Sequence, residues 1–108
     1  MNTLVLPQAE NVERYMAVAM STGHLAPKDF EILDEMVELK RSSRVLKREY
    51  GYFIKLAGPA HQTDFDLIPE ASDELNRIIV WAKASGFSLI EFDSDAPRIE
   101  GFQFFEEE

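Results

Sequence analysis

The amino-acid sequence predicts a single small α+β domain, in which two helices pack on one face of a three- or four-stranded sheet. Its 108 residues suffice for one hydrophobic core, and 45% of them are hydrophobic. Two stretches have helical periodicity, and neither could bury its apolar stripe without a sheet to cover. We assign residues 1–108 to one domain and treat residues 1–10 and 106–108 as candidates for flexible ends.

The first element, within residues 12–22, is compatible with two structures. Val12, Met16 and Met20 fit helical spacing, but together with Val18 they also fit the alternation of a strand. Periodicity alone leaves both open. The family resemblance given below favours a strand that ends at Ser21-Thr22-Gly23.

A helix is predicted over residues 27–41. Pro27 suits the first helical position, and Lys40 and Arg41 would place positive charge at the end of the helix where it is favourable. Apolar side chains recur at helical spacing along one face. These side chains are Phe30, Leu33, Met36 and Val37.

The second half of the chain predicts a strand, a helix and two more strands. Residues 45–56 alternate as one long strand, and residues 57–69 contain the glycine and prolines of a loop. A second helix of about 13 residues follows Ser72, a typical N-cap, and ends near Gly86. Residues 87–92 and 101–104 complete a β-α-β-α-β-β order. The predicted core comprises Leu33, Val37, Tyr52, Ile54, Leu75, Ile79, Ile90 and Phe92.

Composition narrows the class of function. Twenty acidic residues against 11 basic ones give a net charge of −9, which disfavours direct binding to nucleic acid. The chain contains no cysteine, so thiol catalysis and thiolate metal sites are excluded. Neither an export signal nor a membrane-spanning stretch is readable, and we expect a cytoplasmic protein that does not bind membranes.

Two short motifs carry a resemblance to a known family. The first is Ser21-Thr22-Gly23-His24-Leu25, and the second is Phe92-Asp93-Ser94-Asp95-Ala96-Pro97. The chain resembles a bacterial family of uncharacterised small proteins that are frequent on plasmids and other mobile elements. Two positions depart from the family pattern: Gly23 stands in place of an alanine, and Ala26 in place of a helix-capping threonine. The resemblance implies a strand before His24 and a mobile-element origin.

Candidate chemistry in these motifs has simpler structural explanations. His24 lies close to two hydroxyls, but no nucleophile elbow is present, and we expect it to hold the start of the first helix. Asp93 and Asp95 could bind Mg²⁺ or Ca²⁺, yet Asp side chains also stabilise turns without a metal. His61 is predicted to be an exposed loop residue. We predict no catalytic residue, no metal site and no cofactor.

The feature that most favours a function is a row of carboxylates on the first helix. Their spacing makes like charges neighbours, which destabilises an isolated helix. A basic partner that binds this face would offset the repulsion. We predict a non-enzymatic inhibitor, such as an anti-CRISPR-like protein, that occupies a basic or nucleic-acid-binding surface of a host protein or nucleoprotein complex. The alternatives are a small metal-dependent hydrolase or nuclease and a structural homodimer formed through the last strand. The predicted partner-binding residues are Glu31, Asp34, Glu35, Glu38, Phe102 and Phe104.

Overall fold

The four-stranded sheet and its two helices are seen in a computed structural model, which describes residues 4–39, 43–57 and 66–105. Two 3-10 turns, Ala9–Asn11 and Thr22–His24, flank the first strand. The predicted positions Lys40, Arg41 and His61 lie outside the described residues. The elements are β1 (Met16–Met20), α1 (Pro27–Glu38), β2 (Val45–Arg48), β3 (Gly51–Lys55), α2 (Asp73–Ala84) and β4 (Phe87–Asp93).

The strands lie in the order β1-β4-β3-β2, so the last strand is next to the first. β1 and β4 are parallel, whereas β3 runs antiparallel to both β4 and β2. Ile90 lies between Val18 and Ile54, and Phe92 lies between Met20 and Tyr52. These alternate residues point to one face of the sheet because side chains alternate along a strand.

Both helices pack on this face, which confirms the predicted α+β architecture. Leu33 and Met36 of α1 join Leu75 and Ile79 of α2 in one cluster with the inward residues of the sheet. Every predicted core residue is buried except Val37, which is half-buried at the rim of that cluster. The second helix begins as predicted, since the Ser72 hydroxyl accepts a hydrogen bond from the Leu75 N–H (3.1 Å).

The observed order is β-α-β-β-α-β, and the predicted order agrees with it in outline. The predicted strand at 45–56 is a hairpin, in which β2 and β3 are joined by the two residues Glu49 and Tyr50. Gly51, the first residue of β3, allows this strand to pair closely with β4. A Cβ there would lie 1.7 Å from the Phe92 carbonyl oxygen, so only glycine lets β3 approach β4 at this point.

The predicted last strand at 101–104 does not form. Gly101 has a φ of 103°, which interrupts an extended backbone, and the residues after it have no regular secondary structure. Phe102 and Phe104 have strand-like spacing, but both side chains pack against the chain's own domain. The sheet edge proposed for a homodimer is therefore not present at these residues.

Candidate functional site

The two sequence motifs meet in space at the end of β1. The Ser21 N–H donates to the Pro97 carbonyl (3.1 Å), and the Phe105 N–H donates to the Gly23 carbonyl (2.6 Å). The Ser21 hydroxyl accepts from the Gly23 N–H (3.0 Å) and so begins the 3-10 turn. We refer to residues 21–25 and 94–105 together as the motif corner. It is held by backbone hydrogen bonds and by the Ser21 hydroxyl.

His24 is the buried centre of the motif corner. Its Nδ1 donates to the Gln103 carbonyl (2.9 Å), and its Nε2 accepts from the Ile99 N–H (2.9 Å). A carbonyl can only accept and an amide can only donate, so this geometry requires the neutral tautomer with the proton on Nδ1. His24 was predicted to hold the start of the first helix. In the structure its side chain holds residues 99–103 instead. With both nitrogens engaged, the ring has no base to offer a nucleophile.

The two predicted aromatic site residues, Phe102 and Phe104, both lie edge-to-face with His24. Phe102 packs edge-to-face on Trp81, with ring centres 5.2 Å apart, and Phe104 packs edge-to-face on His24 at 5.3 Å. The Phe104 ring also covers Gly23 so closely that a Cβ there would lie 2.2 Å from it. The glycine that departs from the family pattern therefore makes room for this ring.

An open groove of about 460 Å³ runs between the motif corner and the start of α1. Its lining combines aromatic side chains with hydroxyl-bearing residues. The described residues that line it include no charged side chain. The aromatic residues are Phe30, Phe104 and Phe105, and the hydroxyl-bearing residues are Ser21, Thr22 and Ser94.

The predicted carboxylates of α1 divide into two groups. Glu31, Glu35 and Glu38 are exposed on one side of the helix, which we call the acidic face. Asp34 is only partly exposed, and its Oδ1 accepts from the Tyr52 hydroxyl (2.6 Å) and from Lys47 Nζ (3.0 Å).

Asp34 consequently ties α1 to the sheet. Burial raises the pKa of this carboxyl, but the hydrogen bonds from Tyr52 and Lys47 outweigh burial and hold the pKa below its usual value. The structure thus assigns Asp34 a stabilising contact within the domain and leaves three carboxylates on the acidic face.

The second motif uses its aspartates to form a turn. Asp93 Oδ1 accepts from the Asp95 N–H (3.0 Å), and Asp93 Oδ2 lies 2.9 Å from Arg48 Nη1. The hydrogen bond from Asp95 and the charge of Arg48 hold the pKa of Asp93 below its usual range. Among the described residues, no group of three or more His, Asp or Glu side chains is arranged to hold a metal ion.

Comparison with known families finds a match that spans nearly the whole of this architecture. The family described as "Family of unknown function (DUF5983) C-terminal domain" matches residues 17–107. The chain belongs to this family. No curated protein and no solved structure matches the chain. The matched range of the DUF5983 domain contains both motifs, both helices and the groove.

Sequence reasoning missed a buried carboxylate in this DUF5983 domain. Asp29, in the first turn of α1, is fully buried and accepts hydrogen bonds from the Ser72 N–H and hydroxyl (both 2.7 Å) and from the Ala26 N–H (2.9 Å). It joins the N-termini of the two helices. The available signal was the position of Asp29, the third residue of the helix, where an acidic side chain can reach back to the N–H of the residue before the helix.

A buried ion pair was missed as well. Lys83 of α2 contacts Asp66 with both side chains almost completely buried, and Asp66 also accepts from the Ala57 N–H (3.0 Å). Asp66 thereby joins the chain before α2 to the last turn of α2, through Lys83, and to the residues after β3, through Ala57. Lys83 gave no sequence signal because a lysine in the last turn of a helix is usually exposed. None of the described helices in this DUF5983 domain is long and apolar enough to cross a membrane.

Proposed function

We propose that the protein is a non-enzymatic binding module whose acidic face occupies a basic surface of another protein or nucleoprotein complex. The observation that carries the proposal is the exposure of Glu31, Glu35 and Glu38 on one side of a helix whose other side is fixed in the core. A net charge of −9 adds a long-range attraction to such a surface.

The state of the motif corner supports a binding role over catalysis. Both nitrogens of His24 are used to hold the backbone of residues 99–103, and Asp93 is engaged by a turn and by Arg48. A general base must instead direct a free acceptor at a nucleophile or a water molecule. These residues are therefore better suited to shaping a surface than to performing a reaction.

The biological setting belongs to the same proposal. The resemblance to mobile-element proteins and the strong negative charge favour a cytoplasmic inhibitor of a defence or regulatory complex. By covering a cationic surface, the acidic face would compete with the nucleic acid that normally binds there. The partner is then a protein with a basic groove, and the domain itself does not bind DNA or RNA.

The proposal is tested with charge reversal at positions that do not support the fold. After capture of a host partner at low salt, we would compare the parent with the Glu31→Lys/Glu38→Lys variant. We expect at least a tenfold loss of affinity and a weaker salt dependence, because the contacts at both ends of the acidic face become repulsive. Asp34 is left unchanged because it holds Tyr52.

The matched control is Glu10→Lys/Glu13→Lys, which makes the same change in net charge on the exposed segment before β1. We expect it to lower affinity much less than the reversal on α1. Equal losses from the two variants would show that only the total charge matters. Unchanged affinity and salt dependence in the α1 variant would refute the proposal.

A further inference from the structure

We propose that the groove beside the motif corner is an anchor site, which takes a large apolar or aromatic side chain flanked by lysine or arginine in the partner. This inference rests on the proposed function and specifies the chemistry of the partner. The groove would bind the anchor side chain, while the acidic face pairs with the cations beside it.

The groove and the acidic face form one continuous surface. Pro27 and Phe30, both in the first turn of α1, line the groove. Residues four and eleven positions after Pro27 lie on the same side of a helix, and these are Glu31 and Glu38. The carboxylates therefore begin where the groove ends, and a single extended segment could contact both.

The chemistry of the groove selects an uncharged anchor. Its described lining has no charged side chain, whereas the adjoining face of α1 carries three carboxylates. A lysine or arginine inserted into the groove would lose water without gaining a carboxylate, so cations are favoured beside the carboxylates of α1 over the groove. The aromatic side chains of the lining favour a tryptophan, phenylalanine or similar side chain, and the lining hydroxyls could bond the partner's backbone.

The groove has the size and rigidity of an anchor site. Its volume of about 460 Å³ lies within the range of about 300–1,000 Å³ found for binding pockets. Phe104 is held by His24 on one side and by the Arg98 guanidinium, 4.6 Å from the ring centre. The backbone of Phe105 is held through its N–H to the Gly23 carbonyl. A preformed pocket of this kind can act as a hot spot because little ordering remains to be done on binding.

The first test uses two peptides of equal charge. We would measure binding of fluorescein-labelled Lys-Arg-Lys-Trp-Lys-Arg-Lys and of the same peptide with serine in place of tryptophan, by fluorescence anisotropy at low salt. We expect the tryptophan peptide to bind about tenfold more tightly, the size of effect expected when an aromatic anchor fills a pocket. Its addition should also shift the backbone amide resonances of Thr22 and Ser94.

Variants at Ser94 separate the groove from the rest of the surface. Ser94→Phe should fill the groove and remove the preference for tryptophan, whereas Ser94→Ala should keep it. Ser94 is exposed and follows β4, so we expect both variants to fold. Phe105→Ala, which removes one wall, provides a second route to the same loss if Ser94→Phe lowers the melting temperature.

The outcomes distinguish this inference from the proposed function. Equal binding of the two peptides, or a tryptophan preference that survives in Ser94→Phe and Phe105→Ala, would overturn the anchor site. In either case the proposed function would stand if Glu31→Lys/Glu38→Lys still weakens binding. A preference that requires the groove but ignores this charge reversal would support the anchor site and refute the acidic face. Failure of both peptides to bind would count against both.

Discussion

Replacing Asp29 with alanine should remove a large part of the stability of the domain. The carboxylate is fully buried and accepts three hydrogen bonds, two from backbone N–H groups and one from the Ser72 hydroxyl. In the variant the Ser72 hydroxyl still accepts from the Leu75 N–H, but its own O–H loses its acceptor, as do the N–H groups of Ala26 and Ser72. At about 1–3 kcal/mol for each buried donor without a partner, the cost of the three is at least about 3 kcal/mol.

A loss of that size is readily measured in a domain this small. Total stability of such domains is about 5–15 kcal/mol, and each kcal/mol moves the melting temperature by about 4 °C or more. Thermal melts followed by circular dichroism should therefore show Asp29→Ala melting at least about 12 °C below the parent. Urea unfolding at neutral pH should give the same ranking of variants.

The control and the refuting result are specific to this contact. Asp73→Ala changes an exposed acid in the first turn of α2 and should cost much less. Ser72→Ala should destabilise the domain too, and the double variant Asp29→Ala/Ser72→Ala should cost less than the sum of the two, because they share one interaction. A melting temperature for Asp29→Ala within about 3 °C of the parent, or simple additivity with Ser72→Ala, would show that the contact does not join the helices as described.

Three further predictions concern the hydrophobic core, His24 and Asp34. Ile54→Ala and Ile79→Ala should each cost about 2–5 kcal/mol in urea unfolding, because each leaves a cavity in the core, and melting temperatures within a degree of the parent would contradict the assigned core. His24→Ala should lower the melting temperature and speed hydrogen exchange at the Ile99 amide; unchanged exchange would show that His24 does not hold this segment. The lowered pKa of Asp34 implies that its contribution to stability is present above the usual value of 3.8 and is lost as the pH falls through the lowered pKa. Asp34→Asn should therefore melt below the parent at neutral pH, with the gap narrowing in acid, and a pH-independent gap would contradict this assignment.

The helices were predictable because their signals are local. Pro27 and Ser72 mark the two starts, and apolar side chains at helical spacing identify the buried faces. The hairpin was not predictable in this way. Glu49 and Tyr50 lack the glycine or asparagine typical of a two-residue turn, and Gly51 looked like an ordinary strand position. Its role depends on how closely β3 approaches Phe92, which is a property of the tertiary structure.

The candidate site was predictable only in part, for a similar reason. The carboxylates of α1 could be placed on one side of a helix, but the partnership of Asp34 with Tyr52 depends on how α1 packs on the sheet. Phe102 and Phe104 alternate as in a strand, and nothing local reveals that His24 and Trp81 receive them. The groove arises where two motifs distant in sequence come together, so spacing alone could not locate it.

The pairing of β1 with β4 determines when this protein can fold. β1 is made early in synthesis, but its only partner strand among the described residues is β4, about 70 positions later in the chain. His24 likewise bonds to residues 75 and 79 positions further on. Such a topology has a high contact order, and the cost of closing so long a loop must be met before either contact forms. β1, which carries no charged side chain, is therefore without its partner strand for most of the time that the ribosome needs to make the domain. We expect β1 to become protected from proteases only when β4 has emerged from the ribosome.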